Sequence, residues 1–317
     1  MPPESMEEQT MSRVAITGSS GLIGAALRKK LEAEGHTVVR VIHGASDNPR
    51  AMWDPARGWV REGALEGCDA VVHLAGESIA VGRWTEQRRR ELSSSRIDAT
   101  RLLVGHISGL TTPPRTFVAA SAIGFYGDRG DEQLTEESAK GDGFLAGLSA
   151  DWERESLRAQ EAGLKVAVMR LGVVLAADGG ALPPMLTPFK FGAGGRLGNG
   201  RQWVSWVALD DVTGALQFAL TNEAGGVFNV VSPNPVRNTE LARTIGRVLH
   251  RPALLPAPKF ALRLMLGEAA DELLFASQRV RPERLLADGY AFARPQLEGA
   301  LRAILGRPAG GSRAGAA

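Results

Sequence analysis

Short apolar runs alternate with stretches of helical periodicity along the first half of the chain. Arg13–Thr17 reads RVAIT, too short for a helix and followed at once by glycines, and predicts a buried parallel strand. Over 21–34 the apolar side chains Leu22, Ile23, Ala26, Leu27 and Leu31 recur at helical spacing, and the pattern stops at Gly35. Residues 37–42, 69–74, 115–121 and Lys165–Leu171 predict four more strands, with helices over 85–108 and 145–162 between them. Strands alternating with helices imply βαβ units and a parallel sheet covered on both faces. Right-handed crossovers then make a doubly wound α/β domain the natural topology.

Beyond residue 176 the pattern loosens. Residues 192–200 contain five glycines and predict an irregular loop, either a lid or a simple connection. Residues 203–207 and 227–231 read as short strands. Asp210 and Asp211 stand where they could cap a helix over 212–220. From 238 onward the pattern is mostly helical, punctuated by Pro252, Pro256, Pro258 and Pro282. The resulting division is a disordered leader at 1–11, a main domain at 12–249 that includes part of a smaller lobe, a helical module at 250–305 and a disordered tail at 306–317. Met11 is an alternative start.

Composition adds mainly exclusions. The 317 residues are 44% hydrophobic and 23% charged, with a net charge of +2. No run approaches the roughly 20 apolar residues of a membrane span, and no signal peptide precedes the first strand. Arg88, Arg89 and Arg90 sit next to Glu86 and Glu91 in the sequence, which predicts a solvated helix face rather than a nucleic-acid stripe. Cys68 is the only cysteine and the five histidines lack HExxH spacing, so no disulfide and no metal are expected, and the compartment expected is the cytoplasm.

The strongest local signal is Thr17-Gly18-Ser19-Ser20-Gly21-Leu22-Ile23-Gly24, between a strand and a helix. In such a turn Gly18 permits the bend, Gly21 lets backbone approach a pyrophosphate, and Gly24 allows close helix–strand packing. The helix N-terminus supplies free N–H groups to the phosphates. An acid at the end of the second strand would hold the ribose 2′-hydroxyl of NAD. Here the strand runs Val38-Val39-Arg40-Val41-Ile42-His43, with no acid before Asp47. Arg40 and His43 either receive a 2′-phosphate or are ordinary surface residues. The expected cofactor is NADP(H), with NAD(H) as the alternative.

This glycine pattern, His73-Leu74-Ala75-Gly76-Glu77 and Ser121-Ala122-Ile123-Gly124-Phe125-Tyr126-Gly127 together resemble the extended short-chain dehydrogenase/reductases. More closely, the chain resembles their atypical NAD-dependent epimerase/dehydratase-like branch, once labelled cell-division-inhibitor homologues. The likeness runs on through Trp53-Asp54-Pro55, Arg83-Trp84-Thr85, Asp151-Trp152-Glu153 and Gln202-Trp203-Val204-Ser205-Trp206, and covers residues 12–305. It implies a Rossmann-type sheet with a smaller C-terminal substrate lobe. It puts Gly18, Gly21, Leu22 and Ile23 at the pyrophosphate, His43 by the adenosine ribose, and Leu74, Ala75 and Gly76 along the cofactor; Ser19, Gly24 and Ser121 are further cofactor-binding candidates. Two positions depart from the branch: His43 replaces its usual Arg, and Ala208 replaces its usual His before the Asp pair.

Active short-chain dehydrogenases use Tyr-x-x-x-Lys on a helix, with a Ser or Thr. Here Tyr126 is followed four residues on by Gly130 and Tyr290 by Arg294, so the pair is absent. The resemblance aligns Phe144 and Leu148 with it, one helical turn apart and facing the nicotinamide ribose. Ser121 at its strand end and Tyr126 remain as catalytic candidates, each also explicable as a structural hydrogen-bonding or packing residue. Glu77, Trp84, Arg96, Phe144, Trp203 and Trp206 are candidates for the substrate wall, the tryptophans equally as core. The functional expectation is an NADP(H)-binding, epimerase- or oxidoreductase-like protein for an unknown small molecule, or a nucleotide-binding module acting on a partner without turnover.

Overall fold

The computed structural model describes residues 12–45, 47–50, 52–222 and 225–307; the leader at 1–11 and the tail beyond 307 lie outside them. The chain enters with β1 (Arg13–Thr17), α1 (Leu22–Ala33) and β2 (Thr37–Val41). A small antiparallel hairpin follows, β3 (Trp53–Asp54) and β4 (Trp59–Val60), then β5 (Ala70–His73). The predicted helix over 85–108 is present as α2 (Glu86–Ser93) and α3 (Ala99–Ser108), joined through a π-helical turn at Ser94–Asp98. Next come β6 (Thr116–Ala122), β7 (Gln133–Leu134), α4 (Phe144–Leu157) and β8 (Lys165–Leu171).

The later half holds β9 (Val173–Leu175), α5 (Leu182–Lys190), β10 (Trp203–Val204), β11 (Trp206–Ala208), α6 (Leu209–Thr221) and β12 (Gly226–Val230). It ends with β13 (Val236–Arg237), α7 (Asn238–Leu249), α8 (Lys259–Leu266), β14 (Arg279–Val280), α9 (Glu283–Ala287) and α10 (Leu297–Ile304).

The central sheet has the order β12-β8-β6-β5-β1-β2, with every pairing parallel. Alternate side chains of its strands enter two cores. Val14, Ile16, Val72, Val118 and Met169 pack under α1 and α6, while Ala15, Val71, Phe117, Ala119 and Val168 pack under α3. A third cluster, from α5, α7, α10 and Trp206, forms the core of the lobe. Burial on both faces is why these strands read as unbroken apolar runs.

Several expectations need correction. Asp210 and Asp211 lie inside the first turn of α6, and Ala208 is its N-cap. The Asp211 carboxylate is buried and accepts from the Ala293 and Arg294 amides, so it anchors the C-terminal segment. The helix α5 was not predicted because its first turn carries Pro183 and Pro184; those positions leave their N–H unbonded anyway and suit the fixed φ of proline. The C-terminal segment contains a strand besides helices: β14 pairs in parallel with β7, α9 packs on β12, and α10 packs on α7. The glycine loop 192–200 is tied by backbone bonds, Leu255 N–H to Gly194, Ala257 N–H to Arg196 and Gly198 N–H to Ala257.

Candidate functional site

In the strand order above, β2 lies on one side of β1 and β5 on the other, so the connections leave β1 and β5 in opposite directions. Ligands of open α/β sheets bind in the crevice outside such a switch point. The residues there are Thr17-Gly18 after β1 and Leu74-Ala75-Gly76 after β5. Gly18 has φ +65°, and a Cβ on it would stand 2.9 Å from the Leu74 carbonyl, so both conformation and space demand glycine. A Cβ on Gly24 would meet the Gly18 oxygen at 2.2 Å, which fixes the helix–turn contact.

Gly21 differs. Its backbone is extended, φ −72° and ψ 173°, and an added Cβ would meet only the Gly18 oxygen at an ordinary 3.4 Å. No protein atom requires glycine there, so the space before it is free for a ligand. Gly21 is the N-cap of α1, no side chain caps that helix, and no acid lies in its first turn. The amides of Leu22 and Ile23 and the positive end of α1 are therefore uncompensated, which is the chemistry a pyrophosphate needs.

Behind the cradle Thr17, His73 and Thr100 form a buried chain. Thr17 Oγ1 accepts from the Leu74 and Ala75 amides at 3.1 and 3.2 Å and lies 2.7 Å from His73 Nδ1. With both lone pairs taken, its proton goes to Nδ1. His73 is then the Nε2–H tautomer, donating to Thr100 Oγ1 at 2.9 Å. Complete burial lowers its pKa to about 4, so the ring is neutral. This chain fixes the β5 end against β1.

At the end of β2 the hairpin supplies residues that the linear reading missed. His43 is exposed and bridges to Trp53, with Nε2 3.7 Å from the buried Asp54; Arg57 Nε lies 3.7 Å from the other Asp54 oxygen. Two exposed basic groups thus flank one acid at the end of β2. Trp53 is in the core, its ring edge-on to His73 at 5.9 Å, and so is unavailable to an adenine.

The two catalytic candidates occupy one buried network. Ser121 Oγ donates to Glu153 Oε1 at 2.6 Å. Arg170, the register partner of Ser121, makes a bidentate pair with Glu153 at 2.8 Å on both arms and donates to Tyr126 Oη at 2.9 Å. Its guanidinium also stacks on Phe125 at 3.5 Å. Tyr126 Oη donates toward Asn229 Oδ1 at 2.7 Å, near the Thr135 carbonyl at 2.9 Å. Tyr126 is fully buried, and burial raises its pKa against the pull of Arg170. The expectation of Tyr126 as a substitute proton donor is therefore overturned: the phenol is sealed from any ligand and its bonds are spent internally. Ser121 is likewise buried and engaged below the strand end.

Phe144 opens α4 and packs edge-on to Trp84 at 5.3 Å, with Arg89 over its other face at 5.1 Å. Leu148 lies one turn on but is buried with Trp84, Leu92 and Leu145, so the apolar face expected to open onto a ribose is instead closed over by the 79–84 loop. Sequence reasoning also missed Glu272, 128 residues from Phe144, whose carboxylate accepts from the Phe144 and Leu145 amides at 2.9 and 2.7 Å and so caps α4. Glu272 lines a cavity of about 140 Å³ with Gly124, Leu145, Lys259, Phe275 and Gln278.

The remaining substrate-wall candidates do not converge. Arg96 is held behind Gly76, donating to the Glu77 carbonyl at 2.8 Å, with its guanidinium over Trp152 at 5.3 Å; burial lowers its pKa to about 10, which leaves it charged. Glu77 is exposed and pairs with Arg88 at 3.6 Å. Trp203 lies in the lobe between Arg237 and Arg279. Trp206 is core, donating to the Asn234 carbonyl, and cannot form a substrate wall. Among the described residues no group of His, Cys, Asp and Glu has a metal-holding arrangement.

Residues 14–231 match the model of the NAD dependent epimerase/dehydratase family, and residues 257–304 match a domain of unknown function. The chain belongs to the NAD dependent epimerase/dehydratase family. It is 36% identical over 297 residues to the human epimerase family protein SDR39U1, covering 92% of this chain and 99% of that one. It is 37% identical over 299 residues to the Bacillus subtilis epimerase family protein YfhF, covering 92% and 97%. Among solved structures, human SDR39U1 with NADPH superposes with a TM-score of 0.83 at 34% identity, covering 92% and 98%. A nucleoside-diphosphate sugar epimerase from Corynebacterium glutamicum gives 0.78 at 35% identity, covering 94% of this chain and 59% of that one.

Proposed function

We propose that this protein binds NADP(H) across the β1/β5 switch point and acts on a small molecule without the usual resident proton donor of its family. The observation that carries the reading is the cradle: an uncapped, acid-free helix start behind Gly21, whose missing Cβ serves no protein contact. Gly18, Gly21, Leu22 and Ile23 hold the pyrophosphate, and Leu74, Ala75 and Gly76 border the cofactor past the end of β5. His43 and Arg57 receive the 2′-phosphate. The NADPH found with the human relative supports this choice. Bound there, the cofactor supplies hydride chemistry. The chain's own part is to orient it and keep the sheet end rigid through Thr17–His73–Thr100 and Glu153–Arg170.

The burial of Ser121, Tyr126 and Leu148 favours a second reading, a nucleotide sensor without turnover. Among the described residues no helix is long and apolar enough to cross a membrane. The reading takes the protein to be cytoplasmic and its partner to be a small molecule. Fluorescence titration tests the cofactor choice. NADPH should bind about tenfold or more tighter than NADH, about 1.4 kcal/mol. The double variant His43→Ala/Arg57→Ala should erase most of that difference. Equal affinities in the native protein would refute the assignment.

A further inference from the structure

A second cleft, sharing no residue with the cofactor cradle or with the cavity beside α4, opens in the lobe between β14–β7 and β10–β13, and its volume is about 470 Å³. Its chemistry is set by arginines. Arg279 is half-buried on β14 with its guanidinium 4.7 Å from the Trp203 ring, and the guanidinium of Arg237 lies 4.2 Å from the same ring. Arg237 is neutralised by Asp131 at 2.7 Å. Arg279 has no carboxylate within 4.0 Å among the described residues and no side-chain hydrogen bond to protein. Arg281, just past the end of β14 and also lining the cleft, donates to Glu283 through Nε. Its Nη1 is only 3.5 Å from the Pro233 carbonyl. Arg247 reaches the cleft from α7, where one Nη donates to Thr244 Oγ1 at 3.0 Å and makes a loose 3.4 Å contact with Glu298, leaving Nε and the other Nη open.

A half-buried guanidinium is costly without a counter-charge, and two cations near one indole repel each other. Three guanidiniums with open donors around one cleft form a receptor for a multiply charged oxyanion, because each presents a planar fork to oxygen. The volume is that of a small-metabolite pocket, within the roughly 300–1,000 Å³ typical of them. Exposed Gln133 and Gln296, with Glu240, supply neutral and accepting groups for hydroxyls.

We propose that this cleft is a binding site for a phosphate monoester of sugar-phosphate size, held by Arg279 with Arg281 and Arg247. The ligand bridges β14, α7 and the 233–236 loop. Occupancy therefore ties the C-terminal segment to the lobe, and the protein melts higher when it binds.

Calorimetry and thermal melts of the full chain, at fixed ionic strength, test the proposal with inorganic phosphate and ribose 5-phosphate as probes and ribose as the uncharged control. Expected are saturable binding of both phosphates at millimolar concentration or below, tighter for the sugar phosphate, and a raised Tm, with no response to ribose. Arg279→Gln should weaken binding at least tenfold, and Arg247→Gln should weaken it severalfold. Arg247 is exposed on α7, so its variant does not depend on an intact β14 stack. Both variants should keep native NADPH affinity, which shows that they fold and separates this site from the cradle. Non-saturable heats, or equal phosphate affinity in native protein and folded Arg247→Gln and Arg279→Gln variants, would overturn it.

Discussion

Gly21 and Gly24 stand three residues apart in the same turn, and the structure assigns them different reasons for being glycine. Replacing Gly21 by valine puts a side chain into space that no protein atom fills. The backbone there is extended, so the β-branched residue is not strained, and the cost is that of a poorer N-cap, about 1 kcal/mol. A pyrophosphate pushed off the turn loses the Leu22 and Ile23 amides. At about 1.5–3 kcal/mol for each hydrogen bond to a charged group, the loss is about 3 kcal/mol or more, at least 100-fold in Kd. Gly24→Ala does the opposite. Its methyl would fall 2.2 Å from the Gly18 oxygen, a backbone atom that cannot turn aside. Overpacking of that kind costs about 1–3 kcal/mol, a Tm lower by roughly 2–5 °C for a chain of this size. The assay is NADPH titration alongside thermal melting of both variants. Gly21→Val with native affinity would refute the placement of the pyrophosphate, and Gly24→Ala with native Tm would refute the packing argument.

Two further outcomes follow from the buried polar groups. Tyr126→Phe should lower stability by about 1–3 kcal/mol, because it leaves Asn229 Oδ1 and one arm of Arg170 short of a partner. NADPH affinity should stay native; a change in any NADPH-dependent turnover larger than the stability loss explains would restore the phenol to the chemistry. His73 has a pKa of about 4 in the fold against 6.5 unfolded, so the unfolded chain takes up its proton first. Stability from this group is present above pH 6.5 and is lost as pH falls toward 4, roughly 3 kcal/mol in total. Urea melts across that range should show a flatter pH slope in His73→Gln than in the native chain. Identical slopes would mean that another group titrates there.

Much of the sheet was legible because both of its faces are buried, which writes each strand as an apolar run between turn signals. The glycine turn was legible for a related reason: conformation and close approach restrict single positions to glycine. The short elements of the lobe were harder to read. β7, β13 and β14 have two residues each and exist only through partners more than 30 positions away. Asp54 and Arg57 reach His43 at the end of β2 through a hairpin that no periodicity announces, and Glu272 caps α4 from across the chain. Tyr126 and Ser121 misled for the converse reason. Hydroxyls at a strand end look reactive in one dimension, and only the third dimension reveals Arg170 and Glu153 beside them.

The pairing of β7 with β14 also bears on the order of assembly. The residues of the nucleotide cradle, 13–76, leave the ribosome long before Arg279 and Val280 are made. Native contacts of such long sequence separation form late, after the local ones. The nascent chain can thus complete its first βαβ unit, and engage a dinucleotide, while the lobe still lacks the strand that closes it.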